Sequence, residues 1–204
     1  KGEYQGPMTS FIESKATRSQ LGDKEGVASL DLKMGNLYFK VGKPDSAMHY
    51  YTLALGFYES EGRDLETSVL LGNIGSTYLG MKAYDKALSY CRRSLELQKK
   101  IDRSYEAAGM LVNIGNIHFE QKDTTRAIEA YREAEKMAAG AKNNSALAAT
   151  LNNLSNIYLA RGDFSEAKNL VSRAIALRES LGETSELSSG QLTLAIILNA
   201  EGKY

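Results

Sequence analysis

Cysteine is almost missing: Cys91 is the only one in 204 residues, which excludes an internal disulfide framework but leaves the compartment open. There are two prolines and few β-branched runs, which favours helix over strand. Neither charge is in surplus, with 25 Lys and Arg against 25 Asp and Glu. That balance argues against a nucleic-acid module, which carries a basic excess. Long apolar runs are lacking too. The most apolar stretch, Leu192 to Leu198, is too short to cross a bilayer, so no membrane insertion is expected. No basic and apolar leader opens the chain. It begins on Lys1 and not Met, so a processed or excised chain is expected, and the lack of a leader proves little. No phosphate-cradling glycine loop, H-E-x-x-H motif or nucleophile elbow is found, so no enzyme, cofactor or metal is expected.

What is present is a ruler. Met34-Gly35-Asn36-Leu37-Tyr38 returns as Ile74-Gly75-Ser76-Thr77-Tyr78, Ile114-Gly115-Asn116-Ile117-His118 and Leu154-Ser155-Asn156-Ile157-Tyr158. The step is 40 residues each time, and Ala47, Ala87, Ala127 and Ala167 keep it. A fixed period of this size marks stacked units, none of which buries its apolar face alone. With 43% apolar residues the chain can bury a core.

Along the chain, residues 7–21 read as a helix without a partner before it, the second half of a repeat. Four full units follow at 24–62, 64–102, 104–142 and 144–182, then the first helix of a fifth at 186–201. Polar starters open them: Asp23, Asp64, Ser104, Asn144 and Thr184, each able to accept from the free amides of a first turn. Glu66, Glu106 and Glu186 follow in the first turn, where negative charge suits the helix dipole. Each pair breaks at Gly42-Lys43, Lys82-Ala83, Lys122-Asp123 or Gly162-Asp163, and Pro44 fits a first helical position. That makes about ten helices in a single array. Gly35, Gly75, Gly115 and Ser155 are the points of close approach between paired helices. Tyr38, Tyr78, His118 and Tyr158 fill the space beside them.

These rows resemble the tetratricopeptide repeat, L-G-x2-Y followed by A-x3-aromatic, as in Met34 to Tyr38 and Ala47-x3-Tyr51. Two features depart from the standard repeat. Leu71, Leu111 and Leu151, with Asp31 in the first unit, replace its Trp, and the period is 40 rather than 34. The longer class is similar to the repeats of kinesin light chain and of Leu-Gly-Asn-rich polarity scaffolds. Comparable repeats occur in bacterial peptide-responsive regulators and sensor regions. The resemblance implies an all-α, right-handed solenoid of helix-turn-helix repeats whose first helices line a concave groove.

Two rows stand out on the first helices. Lys33, Asn73, Asn113 and Asn153 form one; Asn36, Ser76, Asn116 and Asn156 form the other. They lie about 60° apart on one face. Asparagine is a poor helix former, so six in eight positions ask for a reason. An amide carries donors and an acceptor and can bracket a peptide group without reading its side chain. By resemblance, Asn73, Asn113 and Asn153 clamp the backbone of a bound segment, with Lys33, Asn36, Ser76, Asn116 and Asn156 beside them. In that case water satisfies these amides in the free protein. Otherwise they bond across neighbouring repeats or simply face water. A carboxylate clamp would need more base than Lys33 and Lys40 supply, and Glu120 occupies the row of Lys40.

Cys91 and His118 stand in packing slots and read as buried core residues; His49 reads as surface. The leading functional expectation is a non-catalytic scaffold that binds a protein or peptide in its groove. The alternative is the ligand- or peptide-sensing region of a larger bacterial signalling or transcription-regulating protein. Direct nucleic-acid binding is not expected. The apolar final helix, with Leu187, Leu192, Leu194, Ile196, Ile197 and Leu198, is a candidate for self-association.

Overall fold

The computed structural model describes residues 5–200. The side chain of Glu186, expected in a first helical turn, and residue 201, at the end of the expected final helix, lie outside the described residues. Among the described residues there are ten helices and no strand. They are α1 (Gln5–Gln20), α2 (Lys24–Lys40), α3 (Pro44–Ser60), α4 (Asp64–Gly80), α5 (Tyr84–Lys100), α6 (Ser104–Glu120), α7 (Thr124–Gly140), α8 (Asn144–Ala160), α9 (Phe164–Leu181) and α10 (Thr184–Ala200). Packing divides them into two compact units, Lys1–Asp102 with α1 to α5 and Arg103–Tyr204 with α6 to α10. Within each unit consecutive helices pack on one another, as in a tetratricopeptide solenoid.

Helices α2 to α8 are each 17 residues long, about 25 Å, and three residues separate each from the next. The period of 40 is therefore twice a finer module of 20. Its turn is a Schellman motif. The Lys82 N–H donates to Leu79 O and the Ala83 N–H to Tyr78 O, both at 2.9 Å, which satisfies carbonyls of the last turn. The middle residue of each turn is left-handed: Gly22, Gly42, Gly62, Gly162 and Gly182, but also Lys82 (φ 58°), Asp102 (58°), Lys122 (65°) and Lys142 (54°). Glycine takes that backbone freely, and an L side chain does so at a penalty.

The helix starts differ from the sequence expectation by one residue after the first repeat. Asp23 does cap α2, accepting from the Gly26 N–H at 2.8 Å. Asp64, Ser104, Asn144 and Thr184, however, are already the first helical residues. The capping slot before them holds Arg63, Arg103 and Asn143. Asn143 caps α8 by accepting from the Ala146 N–H at 3.0 Å. Arginine carries no acceptor, so Arg63 pairs with Glu25 (2.7 Å) and Glu66 instead, and Arg103 with Glu106 (3.5 Å). Asp123 and Asp163 cap α7 and α9 in the same way as Asp23.

The core follows the small-residue rows. Ala47, Ala87, Ala127 and Ala167 are fully buried. A Cβ on Gly35 would stand 2.5 Å from the Tyr51 ring, and one on Gly115 would stand 2.4 Å from Tyr131. No real Cβ fits there, so a tyrosine on the second helix requires glycine on the first. In the fourth repeat Val171 replaces the tyrosine, and Ser155 fits, its hydroxyl donating to Ala167 O at 2.7 Å. In the first unit Ala47, Tyr51, Ala54, Leu55 and Tyr58 pack with Leu70, Leu71 and Ile74. Asp31, in the row of Leu71, is also buried and is paired with Lys15 of α1. Cys91 and His118 are buried as expected, and His49 is exposed. Burial pushes the Cys91 thiol up to about 12, so at neutral pH it is a packed, unreactive group.

Candidate functional site

The two polar rows lie on α2 and α4 in the first unit and on α6 and α8 in the second. Lys33, Asn36 and Asn156 are exposed, while Asn73, Ser76, Asn113, Asn116 and Asn153 are half-buried. In the first unit the Asn73 Nδ2 donates to Asn36 Oδ1 at 3.0 Å. The Tyr51 hydroxyl donates to the same oxygen at 2.8 Å. The second unit repeats the device. Asn153 Nδ2 donates to Asn116 Oδ1 at 2.8 Å, and the Tyr131 hydroxyl donates to it at 2.6 Å. One step further on, Thr193 of α10 takes the slot of Asn73 and Asn153, and its hydroxyl donates to Asn156 Oδ1 at 3.2 Å. Ser76 and Asn113, in the same two rows, each have a partner of their own.

Each ladder bond thus joins a residue on one first helix to a residue 37 positions earlier on the previous first helix. This corrects one expectation. The amides are not left to water in the free protein; Asn73 and Asn153 bond across repeats. The reason is geometric: the slot three residues along the previous helix is the nearest polar group on that face, and a half-buried amide takes a partner where it can. Burial pushes the Tyr51 hydroxyl up to about 12 and raises Tyr131 further, so both remain protonated donors at neutral pH.

The flanks of the ladder were not read from the sequence. Leu65 and Val69 on α4 are 38% and 39% exposed, and Tyr105 on α6 is 54% exposed. Phe39 and Phe119 lie exposed near the other ends of α2 and α6. Between α6 and α8 is a hollow of about 320 Å³ lined by Tyr105, Gly109, Val112, Asn143, Ala146 and Ala149. Asn143 anchors its rim, donating to Tyr105 O at 2.7 Å while it caps α8. The signal was available: Leu65, Val69 and Tyr105 are large apolar residues standing where the first repeat has Glu25 and Ser29. Among the described residues no helix is long and apolar enough to cross a membrane, and no cluster of His, Cys, Asp or Glu is placed to hold a metal.

Residues 26–100 and 105–180 match the family model described as tetratricopeptide repeat, and the chain belongs to that family. Among solved structures it is similar to BtubC (BKLC) from P. vanneervenii, at 20% identity over 100% of this chain and 86% of that one, with a TM-score of 0.82. It is similar to aspartyl phosphate phosphatase F from Bacillus subtilis, at 18% identity over 94% of this chain and 50% of that one, TM-score 0.88. It is also similar to a Signal Transduction ATPase with Numerous Domains from Pyrococcus horikoshii, a protein with a tetratricopeptide repeat sensor. There the identity is 14% over 96% of this chain and 30% of that one, with a TM-score of 0.81. At these identities the likeness is one of fold. No curated protein matches the chain in sequence.

Proposed function

We propose that this chain binds a peptide or a partner helix along the faces of its first helices, α2 and α4 in one unit and α6 and α8 in the other. Tetratricopeptide repeat proteins are interaction scaffolds, and the finer assignment concerns the face. The observation that carries it is the amide ladder bordered by exposed Leu65, Val69 and Tyr105. Fixed polar groups beside apolar surface suit a segment that offers both backbone and side chains. Lys33, Asn36, Asn73, Ser76, Asn113, Asn116, Asn153 and Asn156 are the contact residues of this reading. It involves no catalysis. A second reading, a sensing region within a larger signalling protein, is favoured by the sensor role of the repeats in the Pyrococcus protein. A kinase or helix-turn-helix encoded beyond Tyr204 would select it.

The test is selection of random peptides displayed against the purified chain, followed by titration of the selected peptide. An Asn113→Ala, Asn153→Ala double variant should bind at least about tenfold more weakly, since each lost amide leaves a peptide group unpaired. A selected peptide that binds the double variant as well as the wild type, or that crosslinks to α3, α5, α7 or α9, would overturn the assignment.

A further inference from the structure

An asparagine side chain is ambivalent: a half-turn about its last torsion exchanges an acceptor for a donor pair. In this ladder the ambivalence is removed at two places. We infer that Asn36 and Asn116 are polarised, each presenting its amide N–H groups to a ligand, so that the face reads hydrogen-bond acceptors, the main-chain carbonyl oxygens of a bound segment. Tyr51 and Tyr131 are the positioning residues that set this sense. The inference rests on the peptide-binding reading above and names the chemistry of its central contacts.

The reasoning starts from the tyrosines. Tyr51 and Tyr131 are 1% and 2% exposed. Their hydroxyl protons reach Asn36 Oδ1 at 2.8 Å and Asn116 Oδ1 at 2.6 Å. If either amide turned over, a buried hydroxyl would lose its acceptor, and an unpaired buried donor is costly. The same turn would set Nδ2 of Asn36 against Nδ2 of Asn73, or Nδ2 of Asn116 against Nδ2 of Asn153, donor against donor. Each oxygen therefore has two protein donors, and the NH2 group is what each side chain has left to offer. Asn73 uses one N–H on the ladder and keeps a carbonyl oxygen and a second N–H, so it can bracket a peptide group; Asn153, whose amide also hydrogen-bonds the Tyr131 hydroxyl, keeps its carbonyl oxygen. Asn36 and Asn116 can only donate. Asn156 is the internal contrast. Val171 stands where the tyrosine would be, and Thr193 divides its hydroxyl between Asn156 Oδ1 and Ser189 O, both at 3.2 Å. Its sense is not locked by a buried hydroxyl.

Asn116→Asp separates the two roles. A carboxylate has the same shape and still accepts from Tyr131 and Asn153, but it has no N–H to offer. Melting should be unchanged or raised, while the peptide selected on the wild type binds at least about tenfold more weakly, in low and high salt alike. Asn36→Asp should behave in the same way and Asn156→Asp should weaken binding less. Tyr131→Phe, which frees the amide, should weaken binding by a smaller factor and shift the Asn116 side-chain amide signals in a ¹⁵N-correlated NMR spectrum. Wild-type affinity in Asn116→Asp together with loss in Asn153→Ala would overturn the polarity and leave the binding face intact. Wild-type affinity in both would overturn the binding face as well. If selection yields no peptide, the binding face falls, and the polarity is decided by NMR on the free chain. Asn116 N–H protons that exchange rapidly with water and move on Tyr131→Phe support it; protons that are protected or insensitive to that change overturn it.

Discussion

Lys15 of α1 pairs with Asp31 of α2 at the position where the next repeat packs Leu55 against Leu71. Asp31 is 3% exposed, so its carboxylate depends on that counter-charge. Lys15→Met should destabilise the chain by about 2–3 kcal/mol, somewhat below the loss for a fully enclosed pair because the Lys15 side chain is 27% exposed. The double change Lys15→Leu, Asp31→Leu reproduces the apolar pair of the second repeat and should match or exceed wild-type stability. Urea unfolding of the three proteins measures both effects. A single variant as stable as the wild type would show that water, not Lys15, compensates Asp31.

Lys82 and Lys122 occupy the left-handed turn position that glycine holds at 42 and 162. Lys82→Gly and Lys122→Gly should each stabilise the chain by about 0.5–1 kcal/mol through release of backbone strain. Valine at either position should destabilise it, since a branched Cβ fits that backbone worst. Chemical denaturation resolves the opposite signs; equal effects of glycine and valine would contradict the turn geometry.

The buried hydroxyls make a prediction for alkaline pH. Tyr51 is raised from an ordinary value of 10.0 to about 12 by burial, and Tyr131 is raised in the same direction. An acid whose folded value lies above its unfolded one contributes stability that is whole below the unfolded value and is lost as pH climbs through the folded one. Melting temperature should therefore hold to about pH 9 and fall between about 10 and 12. Tyr51→Phe, Tyr131→Phe should flatten that fall while lowering stability at neutral pH by the two hydrogen bonds removed, about 1 kcal/mol each. A slope unchanged by the double substitution would assign the fall to other groups.

Self-association through α10 can now be tested at the right residues. Ile197 is fully buried against Ala167 and Val171, so a charge there would disrupt packing rather than report on association. Leu192 and Ile196 are 63% and 49% exposed. If α10 mediates association, light scattering of the chain should give a mass above 22.4 kDa that Leu192→Lys, Ile196→Lys returns to that of a single chain. A single-chain mass in both proteins would remove the idea.

The helix pairs were legible because their signal is repeated. Gly35, Gly75 and Gly115 with Ala47, Ala87 and Ala127 mark close approach, and sterics leaves few other residues for those slots. The module of 20 was hidden, because four of its left-handed turns carry Lys or Asp, which state no backbone preference as plainly as glycine does. The helix caps were misplaced where Arg63 and Arg103 fill the capping slot and a polar residue follows. The ladder residues stand out in the sequence as two rows, but the bonds between them join positions 37 apart, one repeat less three residues. That offset becomes visible only when adjacent first helices are set side by side. The apolar flank of Leu65, Val69 and Tyr105 was missed for a related reason: the eye follows rows that recur, and this one begins only in the second repeat.

The twenty-residue module also bears on how the chain finds its fold. Ladder bonds join residues 15 or 37 apart, so little chain entropy is lost before the first native contacts form. Such local wiring goes with fast folding, and any helix pair can serve as the seed from which neighbours add. The same wiring spreads protection unevenly. Amide hydrogens of α4 and of α8, which pack on the helices before and after them, should exchange more slowly than those of α1, which among the described residues packs on α2. A partner that lies along several first helices would hold together segments that otherwise open one by one. Its arrival would be felt as slowed fraying well before any change of shape.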